Sequence, residues 1–146
     1  MSKLISHGDL KLLALELKGF LLDLPDLNFS EINFKSHNDA VTNVDFLLQE
    51  KIIEAISDLD PGVKCISEES DSWIEEGLDC WIIDPLDGTS NLIQGLRPSA
   101  ISIAKVSGKD ALAAVVIDLS NFDVYSAVKT KGARLNFSEI EATKSN

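Results

Sequence analysis

"WIIDPLDGTSNLIQG", residues Trp81–Gly95, sets two aspartates three positions apart, with a proline between them and Gly-Thr directly after. Three apolar residues lead into Asp84, the pattern of a buried strand that delivers a carboxylate at its end. Pro85 fixes its own φ and biases Asp84 toward an extended conformation, so the strand is expected to stop at Asp84. Gly88 then permits close backbone approach, and Thr89 to Gln94 reads as a short helix whose free N–H groups and dipole suit an anion. The stretch offers acids for a cation and amides for a phosphate.

Upstream, "VKCIS" (Val63–Ser67) and "DCWIID" (Asp79–Asp84) read as strands, and the polar segment between them begins with Glu68 and Glu69. If the two strand ends lie side by side, Glu68, Asp84 and Asp87 converge on one hard cation. Mg²⁺ suits such a site, because it takes oxygen ligands and is usually held by a few carboxylates plus substrate phosphate. Like charges that close repel unless a cation offsets them. Taken singly, the same residues have plainer readings: Asp87 as the N-cap of the next helix, and Glu68-Glu69 as a solvated acidic turn.

Two helices precede the strands. Leu4 to Leu22 carries Leu10, Leu13, Leu17 and Phe20/Leu21 at helical spacing. In "VTNVDFLLQEKIIEAISDLDPG" Thr42 reads as an N-cap and Asp45 as its capping-box partner, followed by Leu48, Ile52, Ile53 and Ile56 and stopped by Asp60-Pro61-Gly62. Asp45 is either only that cap or a fourth acid of the site. Downstream, "SAISIAKVSG", "ALAAVVIDLS" and "DVYSAVKTKGARL" read as three further strands, broken at Gly108-Lys109-Asp110 and Ser120-Asn121. Two helices followed by sequential strands predict an α+β fold, a mostly antiparallel sheet packed with helices, in one domain over residues 1–146.

The formal net charge of −11 argues against a nucleic-acid partner, since no Lys/Arg stripe supplies the counterion-release term. An anionic substrate stays compatible if cations sit between it and the acids. Charges at Asp9, Lys11, Glu16 and Lys18 interrupt the N-terminal apolar residues, so neither a secretory signal nor a membrane span is expected. Cys65 and Cys80 form no ligand spacing and are expected as reduced thiols of a cytoplasmic protein. His7 and His37 form no ligand-like pair.

"WIIDPLDGTSN" resembles the DPxDGT metal-binding signature of the inositol monophosphatase family, Mg²⁺-dependent, lithium-sensitive phosphatases. "SEES" (Ser67–Ser70) is similar to that family's GEE motif, "FKSHNDAVTNVDFLLQEKII" to its upstream DxVTxxD segment, and "KTKGARLN" to its later hairpin. The resemblance implies the N-terminal half of a layered αβαβα sugar-phosphatase fold, with Mg²⁺ as cofactor. Glu68, Asp84 and the carbonyl of Leu86 would bind one ion, and Asp84 and Asp87 would contribute to a second. Gly88 and Thr89 would donate N–H groups to the phosphate, beside Leu86 and Asp87. Asp45 would hydrogen-bond the Thr89 hydroxyl, that pair with Glu68 orienting the attacking water.

The family is about twice this length, and its C-terminal α/β half carries a further metal-binding aspartate in a "WDxAAG"-like motif that this sequence lacks. Ser67 replaces the glycine of GEE, Leu92 the usual phenylalanine, and Gln94 stands where histidine is frequent. Two readings follow. One is a phosphomonoesterase acting on inositol phosphate or a related small sugar or polyol phosphate. The other is a truncated homologue that keeps the fold and binds metal but turns over weakly, acting as a binding or assembly partner. Surface that the missing half would cover predicts a homodimer or higher oligomer.

Overall fold

Helices form where leucines recur every three or four residues, and strands where β-branched residues alternate. The computed structural model describes residues 3–24, 37–67, 77–88 and 99–144. Helix α1 spans His7–Asp23 and α2 spans His37–Leu59. The strands are β1 (Lys64–Ser67), β2 (Asp79–Asp87), β3 (Ala100–Ser107), β4 (Asp110–Asp118), β5 (Val124–Val128), β6 (Ala133–Leu135) and β7 (Ser138–Ile140). Among the described residues they make one seven-stranded sheet whose spatial order repeats the chain order. Of the pairings described, β1–β2 is parallel and the rest are antiparallel, in keeping with the α+β expectation.

Several boundaries differ from the sequence reading. Ser6 caps α1, accepting from the Asp9 N–H while the Asp9 carboxylate accepts from the Ser6 N–H, so the helix starts at His7 rather than Leu4. Helix α2 begins at His37, five residues before Thr42, which is therefore no N-cap. Nothing in "HNDAV" breaks a helix. "DVYSAVKTKGARL" forms the hairpin that the resemblance of "KTKGARLN" implies rather than the one strand its periodicity suggests, because Thr130 and Gly132 take positive φ (65° and 82°) and reverse the chain between β5 and β6. Strand β7 was not anticipated. Asn136 and Phe137, both at positive φ, close the β6–β7 turn, and Phe137 is held there by packing on the core.

Both helices pack on one face of the sheet. Leu10, Leu13, Leu17 and Leu21 of α1 and Leu48, Ile52 and Ile56 of α2 meet Trp81, Ile83, Ile101, Ile103, Val115 and Ile117. Within this apolar layer lies a charged cluster. Lys105, fully buried, donates to Asp60 Oδ2 at 2.6 Å and to the Lys3 carbonyl at 2.6 Å, and Trp81 Nε1 donates to the same Asp60 oxygen at 2.9 Å. Burial alone would raise the Asp60 pKa, but the hydrogen bonds and charge of Lys105 and the Trp81 N–H hold it below the usual carboxylate range. Cys65 and Cys80 are free thiols, and burial pushes Cys65 up to about 11.

Removing one partner strands the other charge. Asp60→Ala is expected to cost about 3–5 kcal/mol in urea melts, since Lys105 is left buried and uncompensated. A second outcome follows from pH. Burial opposes the shift, but hydrogen bonds from Lys3 and Ser6 bring Asp9 from 3.8 to about 2. Its contribution is thus complete above about pH 4 and is lost as pH falls through about 2, with Asp60 acting in the same direction. Asp9→Asn should flatten this acid limb in urea melts taken at successive pH values.

Candidate active site

The parallel register of β1 and β2 pairs Lys64 with Cys80 and Ser67 with Ile83, so both strands emerge at the same end of the sheet. The next residue of β2 is Asp84. Contrary to expectation, the strand does not stop there but continues to Asp87. Pro85 sits instead in an irregularity of the β2–β3 ladder, where its missing N–H removes no ladder bond. The Leu86 N–H turns back to Asp84 Oδ1 at 3.2 Å.

That irregularity decides the geometry. Asp84 is opposite Ser102 and Asp87 opposite Ala100, so three steps along β2 match two along β3. Residues directly opposed in an antiparallel pair share a face. In a regular strand, two residues three apart point to opposite faces. Here the extra residue brings Asp84 and Asp87 to the same face, the one away from α1 and α2. Pro85 and Leu86 are buried between them. Gly88 follows with φ of 77°, a conformation that an L side chain adopts only with strain.

Asp45 comes from the other direction. The end of α2 is tied to the start of β2 by the Asp60–Trp81 hydrogen bond. Fifteen residues of helix from Asp60 back to Asp45 span ~22 Å, and seven residues of strand from Trp81 to Gly88 span ~23 Å. Asp45 therefore lies toward the sheet end at which Asp84, Leu86, Asp87 and Gly88 stand. It is half-buried, and Asp45, Asp84, Ser67 and Leu86 all have interaction partners. Glu68 and Thr89, with the short helix expected at Thr89–Gln94, lie outside the described residues.

The donors present at this end are carboxylate and peptide oxygens, which fit a hard divalent cation such as Mg²⁺ or Ca²⁺ and not a thiolate-seeking metal. Among the described residues no group of three or more His, Cys, Asp and Glu side chains gathers to hold a metal. Asp84 and Asp87 are two, and Glu68 is not among the residues described.

The sequence matches the model of the inositol monophosphatase family over residues 16–146. The chain belongs to that family. Among curated relatives, the Nus factor SuhB of Pasteurella multocida is 40% identical over 110 residues, 73% of this chain and 40% of that protein. The fold is similar to a Ca-bound family member from Staphylococcus aureus (TM-score 0.74, 27% identity, 94% of this chain and 54% of that one). It is equally similar to a dual-specific inositol monophosphatase/NADP phosphatase solved with D-inositol-1-phosphate (TM-score 0.73, 26% identity, 94% and 53%). The aligned region thus spans about two fifths of the curated relative and about half of each solved chain.

The Gly88 backbone yields a direct test. Gly88→Ala is expected to cost about 1–2 kcal/mol, read as a lower urea midpoint, whereas Asp87→Asn at the neighbouring exposed position should stay within about 0.5 kcal/mol of wild type.

Proposed function

We propose that this chain forms the metal- and phosphate-binding part of a Mg²⁺-dependent phosphomonoesterase acting on inositol phosphate or a related small sugar or polyol phosphate. The observation that carries this reading is the β2 register that puts Asp84 and Asp87 on one face directly before Gly88. Family membership and the ligands named for the two solved neighbours, calcium in one and D-inositol-1-phosphate in the other, support it.

In this proposal Asp84, Asp87, Glu68 and the Leu86 carbonyl hold the cation. A bound divalent ion lowers the pKa of water and neutralises phosphate charge. Gly88 and Thr89 donate backbone N–H groups to the phosphate oxygens, and Leu86 and Asp87 shape the same surface. The Thr89 hydroxyl would donate to Asp45, and that pair with Glu68 would orient the attacking water and take its proton. The water oxygen would bond to phosphorus as the ester P–O bond breaks, and the leaving oxygen would take a proton from solvent, with no covalent intermediate. Among the described residues no helix is long and apolar enough to cross a membrane, and a cytoplasmic setting belongs to the same proposal.

A second reading has its own observation. The curated relative carries the name Nus factor, which states no enzymatic activity, and the aligned region covers only 40% of it. Under that reading the chain keeps the fold and the cation but serves as a binding or assembly partner.

Two measurements separate these. Calorimetric titration with Mg²⁺ should show binding that Asp84→Asn weakens at least about tenfold, or ~1.4 kcal/mol. Phosphate release from a panel of inositol, sugar and polyol phosphates should depend on Mg²⁺ and vanish in the same variant. Binding without release above the Asp84→Asn control selects the second reading; no Mg²⁺ binding overturns both.

A further inference from the structure

The apolar row that seats α2 on the sheet does not by itself fix how far along the sheet the helix sits. Val44, Leu48, Ile52 and Ile56 stand four residues apart, the last three fully buried and Val44 packed against the same core. Residues four apart lie above one another on a helix. A slide of one turn, about 5.4 Å, therefore brings each of them close to the place its neighbour left. Apolar still meets apolar, and packed elements do ratchet past each other by whole turns. The Lys51–Glu16 bridge, at 2.8 Å, ties α2 to α1 and not to the sheet, and lies at the surface.

Asp60 is the next member of that row. Its N–H donates to the Ile56 carbonyl at 2.8 Å, so the helical bonding of α2 runs on to it, and it is 1% exposed. Trp81 and Lys105 stand opposite each other on β2 and β3, and both donate to Asp60 Oδ2, at 2.9 and 2.6 Å. The Lys3 backbone completes the cluster: its N–H donates to Asp60 Oδ1 at 3.3 Å, and its carbonyl accepts from Lys105 at 2.6 Å. A one-turn slide in one direction sets Ile56 over Lys105; in the other it carries Asp60 past it. Either way two buried charges are parted, a cost that no exchange of one isoleucine for another carries. A single polar residue in an apolar seam fixes register in this manner.

We propose that Asp60 and Lys105 are positioning residues of the candidate site: the pair holds α2 at one height on the sheet and so brings Asp45 to the level of Asp84–Gly88. The functional part rests on the reading above in which Asp45 accepts from the Thr89 hydroxyl. A displacement of ~5.4 Å exceeds any hydrogen bond, so a helix one turn out of place withdraws Asp45 altogether. Asp84 and Asp87 belong to β2 and stay where they are. The pair therefore acts on the step in which the water gives up its proton and not on cation binding. Its mark is a loss of turnover at unchanged Mg²⁺ affinity.

Replacing the whole cluster by apolar side chains separates positioning from stability, since such replacements often leave a fold as stable as before. The variant is Asp60→Val with Lys105→Met and Trp81→Phe. Leu47, near the Asp45 end of α2, and Leu78, just before β2, are 44% and 56% exposed. Nitroxide labels on Leu47→Cys and Leu78→Cys, in a chain also carrying Cys65→Ala and Cys80→Ala and diluted with unlabelled chain, report the helix height by electron–electron double resonance. One narrow distance is expected with the cluster intact and in Trp81→Phe alone, and a second population ~5.4 Å away in the triple variant. In phosphate release the triple variant should lose at least about tenfold in kcat, while its calorimetric Mg²⁺ affinity stays within about twofold of wild type. With Asp45→Asn already present, the triple exchange should change kcat less than about twofold. A single unchanged distance in the triple variant, loss of its cooperative melting, weakened Mg²⁺ binding, or an equal loss of kcat with and without Asp45→Asn would overturn the proposal. The distances are read without metal or substrate. A wild-type chain that releases no phosphate thus overturns the enzymatic reading, while the distances still decide the role of the pair.

Discussion

The ion pair between Lys105 and Asp60 holds the two layers of this protein in register. It lies inside the apolar core, with both side chains at most 2% exposed, and each remaining polar atom has a use: Asp60 also accepts from Trp81 and from the Lys3 N–H, and Lys105 also donates to the Lys3 carbonyl. Taking two charges out of water is costly, and a hydrophobic pair of the same volume often serves stability as well. What the charged pair adds is direction. Leucines and isoleucines allow α2 to slide along the sheet by a turn, whereas Asp60 meets Lys105 and Trp81 in one position only.

That single position has a consequence at the far end of the helix. With the last turn of α2 fixed at the beginning of β2, the length of the helix carries Asp45 to the level of Asp84–Gly88. The helix layer and the sheet are thus aligned over about 20 Å by the rigidity of a helix and a strand. The β2 irregularity then turns both aspartates to one side. One contact sets the position of the helix and one extra residue sets the orientation of the acids.

The elements were largely readable from the sequence because periodicity reports burial, and burial of Leu10, Leu13, Leu17, Ile52, Ile83 and Ile103 is what the fold consists of. Ends were less readable. The Ser6–Asp9 capping box was present in "SHGD" but was masked by Leu4 and Ile5, whose apolar character extends the helical pattern. The break at Thr130–Gly132 depends on a positive φ at a threonine, which no propensity announces. Of the site, the convergence of the two β2 aspartates on one cation is an expectation of the sequence, but the irregularity in the β2–β3 ladder that gives them a common face is not. Pro85 was read as a stop, whereas the structure uses it where a ladder donor is dispensable. The buried Lys105–Asp60 pair was missed altogether: "AKV" in a strand reads as an edge lysine, and only the three-dimensional path of α2 brings Asp60 over it.

Because the order of strands in space is the order in the chain, each of the last five pairings, from β2–β3 to β6–β7, joins sequence neighbours. Between β3 and β7 only short turns intervene, so these pairings close small loops at low entropic cost. Such a sheet can zip together hairpin by hairpin. Helix α1 is different: besides α2 it packs on β4 and β5, about a hundred residues downstream. During synthesis the first helix therefore emerges long before the surface that buries it, and its apolar side must wait for the strands. Docking of α1 on the strands is thus the long-range step of this fold, and the Lys3 contacts to Asp60 and Lys105 belong to it.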